Sequence, residues 1–260
     1  MSTPNPYAAP KAAVADETVI VNADFVPGGQ GRPAGNGWTW IGDSWDLFKR
    51  QPGMWIGIVL LLFVILAGAS LIPFVGGLAA TVFGPVFVAG LCVGCKALDN
   101  GNELEFGHLF AGFREHTGTL VAVGAIYLVA SLVVMFVVGL TLGVGFTAMM
   151  GQVDPAQMEA YGMTLLLAFL VMMAIMLPFV MMIWFAAPLV MFHQRGAVEA
   201  MKESFVGCLK NIIPFVVYGV VMFLLMIVAS LPLMLGWLAV GPMLAASVYT
   251  GYRDIYLKPR

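Results

Sequence analysis

The sequence predicts an all-α polytopic membrane protein: a helical bundle of six transmembrane helices, built as three repeats of an interfacial helix plus a helical hairpin. Three observations carry this. Of 260 residues, 61% are hydrophobic and 10% charged, against about 45–50% and about 25% in a soluble domain. The mean hydropathy is +0.95. The charges are confined to short stretches between uncharged runs each long enough to cross a bilayer. This composition excludes a soluble enzyme domain, a disordered tail protein and a secreted disulfide scaffold. With 12 Lys plus Arg against 14 Asp plus Glu, net charge points to no nucleic-acid partner. Three cysteines make no disulfide framework.

Residues 1–37 are rich in Pro, Ala and Gly and read as a disordered cytoplasmic tail, with too little apolar surface to offset the entropy of ordering. They hold no basic start followed by an apolar stretch, so no signal peptide is expected and the first span serves as an uncleaved anchor. The transmembrane domain is expected over 38–256, in modules of about 38–99, 103–195 and 197–256, with a short cytoplasmic end at 257–260.

Gln51 to Cys95 is 45 residues without Asp, Glu, Lys or Arg. A span takes about 20 residues, so two fit, with Pro73, Gly76 and Gly77 as the turn: span 1 over about 53–73 and span 2 over about 76–96. Thr117 to Val153 is 37 residues, read as one span over about 118–144 with a remainder at the far interface. Asp154, Pro155 and Glu159 read as a small polar loop. Residues 162–192 make span 4, which carries Pro178 and Pro188 and is expected to be kinked or broken. Asn211 to Tyr252 is 42 uncharged residues, divided at Pro232 and Gly236 into spans 5 and 6.

Six spans put all 12 Lys and Arg on the N-terminal side. The positive-inside rule then makes both termini cytoplasmic. Trp38, Trp40, Trp45 and Trp55 fall near that inner interface and Trp237 at an outer turn.

Segments 38–50, 104–116 and 197–210 have apolar stripes at helical spacing: Ile41, Trp45 and Phe48; Leu109, Phe110 and Phe113; Val198, Met201, Phe205, Cys208 and Leu209. Such helices are expected in the membrane plane with the stripe among acyl chains. The repeat shows in matched positions. Gly84-Pro85, Gly94 and Lys96 align with Gly241-Pro242, Gly251 and Arg253 at an offset of 157 residues. Phe110, Gly112 and Gly124 align with Phe205, Gly207 and Gly219 at an offset of 95.

No motif assigns a catalytic, cofactor-binding or metal site, and no cofactor is expected. Gly53-x3-Gly57, Gly90-x3-Gly94, Gly139-x3-Gly143 and Ser247-x3-Gly251 are small-residue pairs that let helices approach closely, within one chain or across a homodimer. Cys92-x2-Cys95 closes a span rather than opening a helix, so it reads as packing and not as a redox dithiol. His108, His116 and His193 share a side with Cys95 and Cys208, yet no ligand spacing links them. Asp99-Asn100-Gly101-Asn102-Glu103 is shorter than a calcium loop and reads as a solvated turn into the second interfacial helix. Tyr127, Tyr218, Tyr249 and Tyr252 suit packing as well as binding. No Asp, Glu, Lys or Arg lies in a predicted hydrocarbon core, which argues against a proton-coupled transporter, a pump or a voltage sensor. It also removes the usual base of an intramembrane enzyme. Ser70, Ser131 and Ser230 have no partner base nearby in sequence.

Trp38-x-Trp40-Ile41 through Trp45-x-Leu47-Phe48 and Pro52, Ala97-Leu98-Asp99-x-Gly101-x-x-Leu104, and His108-Leu109-Phe110-Ala111-Gly112-Phe113 carry a resemblance. The chain resembles a group of uncharacterised multi-pass inner-membrane proteins of betaproteobacteria that bear only locus-tag names. The resemblance covers most of 38–256 and implies a Gram-negative inner membrane, with no substrate attached. The three amphipathic segments with their aromatic anchors, and the lack of an ionisable group in the spans, lead to the expectation of a non-enzymatic function: a scaffold, assembly or membrane-organising protein acting through membrane lipid, other membrane proteins or a homodimer. The alternative is a permease or channel for an apolar or zwitterionic small molecule, with Pro178 and Pro188 making span 4 movable.

Overall fold

The computed structural model describes residues 24–149, 155–231 and 233–258. They are all-helical, apart from one bridge between Phe25 and Leu257. The described helices are α1 (Asn36–Arg50), α2 (Pro52–Ser70), α3 (Val75–Asp99), a 3₁₀ helix (Phe106–Phe113), α4 (Thr117–Met149), α5 (Pro155–Trp184), α6 (Ala186–His193), α7 (Ala197–Lys210), α8 (Ile212–Ser230) and α9 (Trp237–Tyr256). Five stretches are long and apolar enough to cross a membrane: Pro52–Ser70, Val75–Asp99, Thr117–Phe136, Leu166–His193 and Ile212–Ser230. α9 falls outside this set because its last turns carry Thr250, Tyr252, Arg253 and Asp254. It can afford them because it is enclosed: Val240, Met243, Ala246, Tyr249, Tyr252, Ile255 and Tyr256 are all buried by protein rather than turned to lipid.

Each break follows from local chemistry. Gln51 precedes a proline and takes an extended φ of −146°, so α1 stops there and Pro52 opens α2. The α2–α3 turn brings Gly76 onto the Ala69 carbonyl, where a Cβ would lie 2.0 Å away. The long fourth span divides at Phe185. Pro188 has no N–H for the carbonyl four residues back, and its ring crowds that carbonyl. Ser204 of α7 fills the gap: the Phe185 N–H donates to Ser204 Oγ at 2.9 Å, and that hydroxyl donates to the Met181 carbonyl at 2.6 Å. A side-chain hydroxyl thus stands inside the interrupted backbone ladder.

The core lies at the end of the bundle where α1, the 3₁₀ helix and α7 meet the spans. α1 packs on α9 and α8, the 3₁₀ helix on α3, and α7 on α5 and α6, while α3 also meets α6 and α9. Gly37 lets α1 touch α8, since a Cβ there would be 2.1 Å from the Pro214 carbonyl. The outer half of α5, including Leu166, Phe169, Leu170 and Met173, is exposed and suited to lipid.

Several expectations need correction. Residues 24–35 are not part of a disordered tail. They form a strap along the end of α9, with Val26 N–H donating to the Tyr256 carbonyl at 2.8 Å and Gln30 N–H to the Ile255 carbonyl at 3.0 Å. Residues 36 and 37 already belong to α1; residues 1–23 lie outside the described residues. α4 continues to Met149 as one helix of 33 residues, roughly 50 Å long, so nothing up to that residue turns along the far interface. Asp154 lies outside the described residues, and Pro155 and Glu159 start α5 instead of making a loop. The three amphipathic segments bury their inner faces against protein more than against acyl chains. In α1 the buried face is Trp40, Ile41, Ser44, Leu47 and Phe48, leaving Trp45 at the surface. Trp40 and Trp55 are buried as well, so only Trp38 and Trp45 of that cluster reach an interface. The middle segment is a 3₁₀ helix shorter than expected, which starts where the Glu105 N–H donates to His108 Nδ1 at 3.0 Å.

Candidate functional site: a charged cavity at one end of the bundle

The ends of α3, α6 and α9 surround a cavity of about 410 Å³, completed by α1 and the strap. α3 contributes Lys96 and Asp99, one helical turn apart. α9 contributes Tyr249, Tyr252 and Arg253, α6 contributes Phe192, and α1 contributes Trp40 and Asp43. Asp24 and Arg32 of the strap form part of the wall.

Two ion-pair networks close most of its charge. Arg253 bridges two carboxylates, with Nη2 at 2.6 Å from Asp43 Oδ2 and Nη1 at 2.7 Å from Asp99 Oδ1. The Tyr249 hydroxyl donates to Asp99 Oδ2 at 3.1 Å, so both Asp99 oxygens are engaged. Arg32 Nε lies 3.0 Å from Asp254 Oδ1, while Asn36 Nδ2 and Trp40 Nε1 each donate to Asp254 Oδ2 at 2.8 Å. The two networks fasten the strap, α1, α3 and α9 together. Lys96 stands apart: its ammonium sits 4.9 Å from the centre of the Phe192 ring, and among the described residues no carboxylate lies within ion-pair distance of it. Burial raises the Asp43 carboxyl above its ordinary range, although the adjacent Arg253 charge opposes this.

A second cluster adjoins the cavity. Phe25 of the strap stacks on His193 with ring centres 3.8 Å apart, and the Arg195 guanidinium lies 5.1 Å from the Phe25 centre. His193 Nε2 and the Tyr252 hydroxyl are 2.5 Å apart. Arg195 reaches Glu199 at 2.8 Å and Glu203 at 3.4 Å. Burial raises the Glu203 carboxyl, with Arg195 opposing.

The structure scatters the residues weighed from the sequence. His108 caps the 3₁₀ helix, His193 belongs to the aromatic stack, and among the described residues no three His, Cys, Asp or Glu come together to hold a metal. Cys92, Cys95 and Cys208 are free and buried. Burial pushes the Cys208 thiol up to about 12, far from a reactive thiolate. Ser70, Ser131 and Ser230 each donate to a carbonyl of their own helix. Gly90 and Gly94 face the 3₁₀ helix and its approach, and Gly251 faces Phe185 and Trp40, so these small residues serve contacts within the chain. Gly53 and Gly139 face open space. Asp99 is no solvated turn residue but the anchor of Arg253. The sequence carried one trace of this site: Lys96 and Arg253, matched at the offset of 157 residues, line the same cavity.

No family model matches the chain. No solved structure matches it either. The chain is 27% identical over 226 residues to a protein of Burkholderia thailandensis described as a "Probable inner membrane protein", an alignment covering 83% of this chain and 81% of that relative. Apolar helices of spanning length and this similarity together make the chain a multi-pass membrane protein, similar to an inner-membrane protein that bears only a locus-tag name.

Proposed function

We propose that the chain is a six-span inner-membrane protein, built from three modules, with both termini cytoplasmic. In this reading it is non-enzymatic and acts through lipid or protein contacts made at its cytoplasmic end. α9 serves as the sixth span, its polar turns tolerated because it is enclosed. The packing supports the modules: the 3₁₀ helix of module 2 rests on α3 of module 1, α7 of module 3 rests on α5 and α6 of module 2, and α1 of module 1 rests on α9 of module 3. Each interfacial element thus rests on the second arm of the preceding hairpin, and the ring closes on itself.

The observation that carries the functional reading is the division of the molecule. Among the described residues, three of the six ion pairs line the charged cavity and the other three lie on α1 and at α7, while the described outer halves of α2, α5 and α8 present apolar side chains such as Phe63, Phe169 and Phe223 outward. A protein so divided has a rigid polar head for contacts and an apolar anchor. Purification in nanodiscs, followed by mass spectrometry of retained lipids and proteins, tests this. The expected result is a specific lipid or protein that survives washing; nothing retained would overturn the reading. Alkaline phosphatase fused after residue 156 should be active, and fused at the C-terminus inactive. The reverse pattern, or equal activity at the two points, overturns the six-span topology.

One observation favours a permease as the second reading: the fourth span is broken at Phe185, where Ser204 ties Met181 to Phe185, and α6 beyond the break carries Phe192 into the cavity wall. Solute flux in proteoliposomes discriminates the two.

A further inference from the structure

We propose that the charged cavity binds a small zwitterion, a primary ammonium joined to a phosphate or carboxylate. The inference rests on the contact role assigned above to this end of the protein and names the chemistry recognised there. The cavity volume, about 410 Å³, suits a headgroup or small metabolite, since ligand pockets begin near ~300 Å³.

The charge arrangement selects the ligand. Arg253 is held by Asp43 and Asp99, and Arg32 by Asp254, and the residues lining the cavity include four basic and four acidic ones, so little net charge is left for a ligand to neutralise. An ion of one sign would bring unbalanced charge into a half-buried space, which is costly, whereas a zwitterion brings none. Lys96 and Asp43 retain capacity. Lys96 has three N–H donors and, among the described residues, only the Phe192 ring as a partner. Asp43 gives Oδ2 to Arg253, and its Oδ1 has no hydrogen-bond partner among the described residues. The Lys96 ammonium receives the phosphate or carboxylate, and Asp43 receives the ammonium. Phe192 and Tyr249, whose ring centres are 6.3 Å apart, supply the apolar wall for the carbons between.

Phosphoethanolamine is the probe, because the same group occurs free in water and as the head of phosphatidylethanolamine. Calorimetric titration of the full chain in detergent should show binding, weakened about tenfold or more when inorganic phosphate or ethanolamine replaces it. Lys96→Met and Asp43→Asn should each weaken binding by a similar factor, Lys96→Arg should largely retain it, and Lys49→Met, on the exposed face of α1, should leave it unchanged. Each variant's melting temperature is measured alongside; binding lost by Lys96→Met at an unchanged melting temperature supports the assignment, and binding retained by a folded Lys96→Met overturns it. Nanodiscs holding phosphatidylethanolamine and phosphatidylcholine distinguish the source. Selective retention of phosphatidylethanolamine, displaced by free phosphoethanolamine, identifies a lipid headgroup; binding of the free compound without lipid preference identifies a soluble ligand. Failure of both, or equal affinity for inorganic phosphate, overturns the proposal. Flux of phosphoethanolamine into proteoliposomes would instead defeat the contact role and leave the zwitterion site standing.

Discussion

The hydroxyl of Ser204 stands where a helix is broken, and its removal should be felt out of proportion to its size. In Ser204→Ala the Phe185 N–H loses its acceptor and the Met181 carbonyl loses its donor, the two bonds measured at 2.9 and 2.6 Å. Residues 181 and 185 cannot simply re-form a helical bond, because Pro188 keeps the chain bent at this point. The fully buried residues Phe185 and Ser204 leave little room for water to substitute. Each orphaned buried group costs about 1–3 kcal/mol. Hydrogen bonds between membrane helices average only about 0.6 kcal/mol, because the unfolded chain in lipid also finds partners. For the pair, the two figures bracket an expected loss of roughly 1–6 kcal/mol. The Cys208 thiol, 3.5 Å from the same Met181 oxygen, is too weak a donor to compensate. The assay is SDS-driven unfolding in mixed micelles, with hydrogen exchange at the Phe185 amide as a local readout. Ser230→Ala is the control, since Ser230 is exposed and bonds only within its own region of α8 and to Trp237. A Ser204→Ala protein as stable as the parent within about 0.5 kcal/mol, with unchanged exchange at Phe185, would refute the bridging role.

Gly37→Ala should destabilise by about 1–3 kcal/mol in the same assay, because its Cβ would lie 2.1 Å from the Pro214 carbonyl, while Gly219→Ala, facing open space, should be neutral or slightly stabilising. Cys92, Cys95 and Cys208 should resist maleimide in the folded protein and all react in denaturant, as their burial requires; rapid labelling of the native protein would show that this end opens. Asp43 and Glu203 titrate higher in the fold than in the unfolded chain, so the folded state keeps protons that the unfolded chain has already released. Their contribution is most favourable below the ordinary carboxylate range and declines as pH rises through the raised values, the opposite of a salt-bridged Asp with a lowered value. Asp43→Asn should flatten this slope in stability measured from about pH 4 to 7; a steeper slope in the variant would contradict it.

What was legible and what was not divides by distance along the chain. Prolines, glycines and uncharged runs act locally, so the turns at Pro73 and before Gly236 and the broken fourth span were readable from the sequence, although Gly76 and Gly77 fall in the first turn of α3 and not in the turn before it. The three segments of helical periodicity also proved to be helical or 3₁₀. The strap was not readable, because its order comes from backbone hydrogen bonds to the end of α9 and from Phe25 on His193, and composition reports neither. Lys96 and Arg253 were visible as a matched pair, but their carboxylate and aromatic partners were not.

The sequence by itself determined that this chain belongs in a membrane, roughly where its helices begin and end, and that its charges are excluded from the apolar spans. Hydrophobicity and proline chemistry act residue by residue, and no knowledge of neighbours is needed to apply them. Only the tertiary structure decided that Asp43 and Arg253, 210 positions apart, meet, that Ser204 repairs the break at Phe185, and that α9 carries its polar turns inside the protein rather than against lipid. Those outcomes depend on which helices become neighbours, and that is settled by packing among all of them at once.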